Sequence, residues 1–202
     1  MRPALTPVLA LLLLQQQDVS LVLEHAMPPS RPGGTLATGL TVVEVEMDGR
    51  TRSVQTRQLY GRAPFATAGL NALMSWGFAV PPGVASARTS VTFLYRSPAI
   101  YPVPIPSPVV KPWAGPANTS ALPQEVVDPG YPSAVAAEGT VVLAARIDSE
   151  GRVIGVEKFN GDAALFEQSQ IAVKNWRFSP ARIANRPVSS TAYVVISFVR
   201  PT

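Results

Sequence analysis

Side chains able to carry covalent or acid–base chemistry are few and scattered in this chain. His25 is the only histidine among 202 residues, and there is no cysteine. A nucleophilic triad or a metal site needs several such groups converging, and no Ser, Cys or Asp motif stands beside His25. Without cysteine there can be no disulfide, no thiolate metal ligand and no Cys nucleophile. Asp148 and Glu150 flank a turn, where water solvates them. Paired acid–base work needs an enclosed site that perturbs their pKa. The chain has no glycine-rich phosphate loop, no His-Glu-x-x-His and no Gly-x-Ser-x-Gly. The expectation is a protein that is not an enzyme and takes no cofactor or metal. Its net charge of +4 is spread without a Lys/Arg run, so nothing points to nucleic acid.

What does recur is a pair of Trp-x-Phe motifs 100 residues apart. With the sequence shifted by 100, residues 32–78 fall on 132–178 without a gap. Eleven of those 47 positions are identical: Pro32/Pro132, Ala37/Ala137, Gly39/Gly139, Val42/Val142, Asp48/Asp148, Arg52/Arg152, Gly61/Gly161, Ala63/Ala163, Ala72/Ala172, Trp76/Trp176 and Phe78/Phe178. Ordinary composition gives roughly three. Solenoid units run about 20–50 residues, so a repeat this long reads as a tandem domain duplication.

The elements that position these residues follow from periodicity. In the second unit, Thr140–Asp148 alternates, with Val141, Leu143, Ala145 and Ile147 on one face. Ser149-Glu150-Gly151 turns the chain, and Arg152–Phe159 returns as a partner strand. Gly161 breaks it and Asp162 can cap a helix. Leu165, Ser169, Ala172, Val173 and Trp176 then form one helical stripe. Pro180 stops the helix, Asn185-Arg186-Pro187 reads as a loop, and Thr191–Val199 is a β-branched and aromatic last strand. The first unit repeats the order. Thr41, Val43, Val45 and Met47 face inward, and Asp48-Gly49 suggests a turn two residues shorter than its counterpart. Pro64 suits a helix start, Phe65, Gly69, Ala72, Leu73 and Trp76 make the stripe, and Val91, Phe93 and Tyr95 mark the last strand.

Each unit is therefore strand–strand–helix–strand. The helix must cross over, which puts the first strand in the middle and the second and third at the edges. The fold class is α+β: two tandem ββαβ (split βαβ) domains, each a three-stranded antiparallel or mixed sheet packed on one main helix. The expected domains are 22–96 and 123–202, joined by a Pro-rich linker at 97–122. Seven prolines between Pro98 and Pro116 bar helix and central strand. As polyproline II at about 3.1 Å per residue, the segment would reach roughly 75 Å and hold the domains apart. At the start, Met1-Arg2 precedes the apolar run Pro3–Leu14, which Gln15 to Asp18 end. That length suits a signal peptide over 1–18 better than a membrane span of about 20 residues, with a short anchor as the alternative.

Tyr131, Pro132, Ala137, Gly139, Val141, Asp148, Gly151, Arg152, Val153, Ala172, Trp176, Phe178, Pro180 and Ala181 form a run that resembles the C-terminal domain of TonB-type energy transducers. The likeness covers roughly 123–200. Residues 22–96 resemble the same domain in degenerate form, with Arg31 where Tyr131 stands and Ala79-Val80-Pro81-Pro82 after Phe78. Tyr131, Pro132, Gly139, Asp148, Gly151, Trp176, Phe178 and Pro180 are read as mainly structural.

The resemblance implies a periplasmic, exported protein of envelope transport that docks an extended peptide by β-strand addition. The partner would be a segment of an envelope protein, such as an outer-membrane TonB-dependent receptor. By position, the receiving edge is the last strand: Thr191, Ala192, Tyr193, Val194, Val195, Ile196, Ser197, Phe198 and Val199. An open edge offers unpaired amides and carbonyls to such a guest. Two alternatives stand beside this. One is an inner-membrane-anchored energy transducer facing the periplasm. The other is a structural or assembly protein whose units self-associate through their sheet edges.

Overall fold

The computed structural model describes residues 20–108, 110, 117–132 and 137–201. The apolar N-terminal run and Trp113 lie outside them. The first unit runs β1 (Val22–His25), β2 (Gly39–Asp48), β3 (Val54–Tyr60), α1 (Phe65–Leu73), β4 (Gly77–Ala79) and β5 (Ser86–Tyr95). The second runs β6 (Leu122–Glu125), β7 (Gly139–Ile147), β8 (Val153–Gly161), α2 (Ala163–Lys174) and β9 (Arg177–Ser179). It then adds β10 (Ala181–Ile183) and β11 (Arg186–Val188) before β12 (Ser190–Phe198). The class is α+β, and in each unit the first long strand is central, as β3-β2-β5 and β12-β7-β8.

Several contacts of the two units correspond at the offset of 100 residues. Val22 pairs with Ala79 and Leu122 with Ser179. The indole Nε1 of Trp76 donates to the Met27 carbonyl, and that of Trp176 to the Val127 carbonyl, both at 2.9 Å. Each tryptophan closes its helix onto the sheet, beside Phe78 or Phe178 at ring-centroid distances of 6.2 Å. Even the departure at Arg31 keeps a role. Its guanidinium donates to the Ala37 carbonyl as the Tyr131 hydroxyl does to Ala137.

Local chemistry sets the element ends. Asp162 accepts from the Ala164 amide and caps α2, whose buried residues are Leu165, Ser169, Ala172 and Val173. The β2–β3 turn is not the shorter one. Both turns hold five residues between strands, 49–53 and 148–152, because the carboxylates of Asp48 and Asp148 each gather amides from the following residues. The loop expected at 185–187 is a hairpin, β10–β11, turned through Ala184 and Asn185 at positive φ.

The two units do not hold separate sheets. β5 and β12 pair in parallel, Val91 with Tyr193 through Tyr95 with Ser197. One six-stranded sheet results, ordered β3-β2-β5-β12-β7-β8. The residues of β12 alternate between two cores. Val194 and Ile196 pack with Leu165 and Val173 of α2, and Tyr193 and Val195 pack with Leu73 of α1. Successive strand residues point to opposite faces, so the two helices lie on opposite faces of the shared sheet. Each helix covers only its own half, and each half presents a second face, apolar around Val142, Tyr193 and Val195 in the second unit and mixed around Val42 in the first.

The segments preceding the units cover those faces reciprocally. Leu21, Leu23 and Ala26 lie against the second unit, with Val142 and Tyr193. The Tyr193 hydroxyl accepts from the Leu23 amide and donates to the Leu21 carbonyl. On the other face Val110 and Leu122 pack on Val42 of the first unit, and Ser90 donates to the Ala121 carbonyl. The Pro-rich segment is therefore no spacer over its described residues. It packs on the sheet, because burying Val110 and half-burying Val103 and Ile105 removes apolar surface that an extended linker would leave wet. Arg96 and Asp128 fasten it as a fully buried ion pair.

Candidate functional site

The last strand is already occupied on both sides. Ser190–Phe198 pairs antiparallel with β7 along its whole length and parallel with β5 over Tyr193–Ser197. Tyr193, Val194, Val195, Ile196 and Ser197 are thus interior sheet residues, Thr191, Ala192 and Phe198 pair with β7 alone, and Val199 lies just beyond. The expected open edge is absent there. The physical cause is that β12 sets Val194 and Ile196 on one face and Tyr193 and Val195 on the other, and β5 adds Val91, Phe93 and Tyr95 to the latter, so pairing the two joins a core that neither could close at a rim.

The other residues singled out from the sequence serve the backbone and the core. Tyr131 is buried, and its amide donates to the Ile100 carbonyl. Half-buried Pro132 follows it, and Gly139 opens β7 opposite Phe198. Gly151 has φ +81°, and a Cβ there would stand 1.8 Å from the Phe178 carbonyl oxygen, so only glycine fits. Phe178 is in β9 and Pro180 follows that strand. His25 lies against Gly77, whose Cβ would meet its ring at 2.3 Å. No metal-binding cluster occurs among the described residues.

The sheet's rims are β3 and β8, and they differ. β8 is partly covered. The Phe178 amide donates to the Gly151 carbonyl at the strand's start, Arg152 bridges Arg177, and Gln170 of α2 donates to the Val156 carbonyl. Leu70 stands where Gln170 would have its counterpart, so β3 receives no such donor. Among the described residues no strand pairs with the outer side of β3. Its seven residues are largely exposed and would span roughly 23 Å at about 3.3 Å per residue.

A cleft of about 600 Å³ runs beside β3, lined by Glu44, Glu46, Gln55, Arg57, Leu59 and Arg88 among others. Its carboxylates are committed. Glu44 is paired with Arg57 and accepts from the amide and hydroxyl of Ser120. Glu46 is paired with Arg88 at 2.9 Å. At the hairpin end, hydrogen bonds from the Thr51 amide and hydroxyl, then the Arg50 amide, hold the Asp48 carboxyl below its usual range. The equivalent Asp148 is pushed up by burial, but the amide and guanidinium of Arg152 and the Glu150 amide outweigh this and leave it low. Nothing in this setting resembles an acid–base pair. It is a hydrogen-bonding edge with a polar trough beside it.

Sequence reasoning put β3 and the last strand alike at edges but chose the last strand as the receiver, because which edge stays open depends on which partners find it. One signal was present. Thr191–Val199 has no clean alternation of apolar and polar residues, as expected of a strand buried on both faces.

Residues 129–199 match the family model described as Gram-negative bacterial TonB protein C-terminal. That associates this part of the chain with non-enzymatic, envelope-associated transport proteins, whose partners include outer-membrane proteins. No curated protein and no solved structure matches the chain. Among the described residues no helix is long and apolar enough to cross a membrane.

Proposed function

We propose that this chain is a non-enzymatic, exported TonB-like protein that docks an extended segment of an outer-membrane protein by β-strand addition. The receiving edge is β3, not the last strand. The observation that carries this reading is the combination of the family match at 129–199 with a sheet whose last strand is consumed internally and whose rim at β3 stays unpaired. On this reading residues 22–96 are a degenerate second copy. It has taken over peptide capture, while the second unit supplies the framework.

The internal β5–β12 pairing also speaks for self-pairing through edges, here satisfied within one chain. An anchored transducer would need residues 1–18 to remain as an anchor, and the mature N-terminus decides that.

The test is hydrogen exchange on the full chain. A synthetic extended peptide from the periplasmic tail of a TonB-dependent receptor is titrated in. Added protection confined to the amides of Val54–Tyr60 is expected. Absence of any protection, or protection elsewhere, overturns the reading.

A further inference from the structure

We infer that the β3 rim selects an acidic extended segment, which names the partner chemistry of the docking edge proposed above and rests on that proposal. No Asp or Glu occurs between Gly49 and Gln124, whereas Arg50, Arg52, Arg57 and Arg62 fall within and around β3. Arg50, Arg52 and Arg62 are exposed and enter no ion pair among the described residues. Arg57 lies mid-strand opposite Glu44, and that carboxylate is already spent on Arg57 and Ser120. Asp48 offsets part of this charge at the hairpin end, where its carboxylate acts on Arg50, so the rim carries a net positive charge, and no free carboxylate stands in the trough beside it.

Charge of one sign along an open edge has two consequences. It discourages pairing with a second copy of itself, because a symmetric antiparallel pairing centred on β3 sets Arg57 against Arg57, with Arg52 and Arg62 meeting across the ends. It also favours a guest of opposite sign, by steering the encounter and by rejecting basic segments. The other rim differs. Glu150, Glu157 and Asp162 alternate there with Arg152 and Lys158, and the strand is partly capped. A guest of about seven residues, with carboxylates near both ends and hydrogen-bonding backbone between, fits β3.

The experiment uses the full chain and two nine-residue synthetic peptides of equal β propensity. One carries three Asp or Glu residues; the other carries Asn or Gln at the same positions. Binding is measured by fluorescence anisotropy, with exchange protection of Val54–Tyr60 as the site readout. The acidic peptide is expected to bind about tenfold tighter at low salt, and the gap should close as added salt shortens the screening length. The triple variant Arg50→Gln/Arg52→Gln/Arg62→Gln should shrink the gap to about twofold while leaving the neutral peptide's affinity unchanged. Equal affinities for both peptides at β3 overturn the charge selection and leave strand docking standing. Failure of both peptides to protect β3 overturns the docking reading itself. Concentration-dependent dimers that protect β3 without peptide overturn the inference in favour of a second copy.

Discussion

Removing the carboxylate of Asp128 should weaken the whole molecule, not one unit of it. Asp128 is buried, paired with the Arg96 guanidinium, and accepts from the amides of Val103 and Gly130 at 3.1 and 3.0 Å. Arg96 has no exposed surface, and its guanidinium also donates to the Ala99 carbonyl at 3.1 Å and lies over the Phe198 ring at 5.1 Å. Asp128→Ala would leave that charge without its counter-ion and orphan two amides. Breaking a buried pair from one side costs about 3–5 kcal/mol. At about 3 °C per kcal/mol for a chain of this size, the melting temperature should fall by about 12 °C. Asp128→Asn, which keeps an acceptor for the amides, should lose less. The assay is thermal unfolding followed by far-ultraviolet dichroism and tryptophan fluorescence. Because Arg96 joins the end of β5 to the linker and to Phe198 of the second unit, both probes should move together in a single transition. A shift within about 2 °C of the parent, or a two-step melt in which one unit survives, would refute the idea that this pair unites the two halves.

Val195→Pro should cripple folding, not merely partner binding, because Val195 is 1 % exposed and sits between two paired strands; soluble yield and dichroism read this out. Of the adjacent variants Thr56→Pro and Arg57→Pro, the one whose amide faces outward should keep the fold and lose peptide binding by anisotropy, since an edge tolerates proline on its free side. Gly151→Ala should cost about 3 kcal/mol or more in urea unfolding, given the clash with the Phe178 carbonyl. Asp148 has a lowered folded pKa, so its contribution to stability is complete above the ordinary carboxylate value of 3.8 and is lost as pH falls through the folded value. Asp148→Asn should accordingly flatten the acid limb of the stability curve below about pH 4, measured by urea midpoints.

Each unit was legible from its own residues. Alternation at Val141, Leu143, Ala145 and Ile147 set the inward face of β7, Asp162 set the start of α2, and the Trp-x-Phe pairs set where each helix closes. The alternation and the cap rest on near neighbours in the chain, whose periodicity sequence preserves, and the Trp closures recur at a single offset. The crossover rule likewise sufficed to put the first long strand of each unit in the middle. The meeting of β5 with β12 came from packing between the units. That packing also put the two helices on opposite faces and laid the Pro-rich segment against the sheet instead of leaving it extended. These outcomes compare the burial of one whole surface against another, a competition among partners far apart in the chain. The open rim follows from the same competition: β5 and β12, which share the core of Val91, Phe93, Tyr193 and Val195, claim each other, and the Arg-bearing β3 is left at the water.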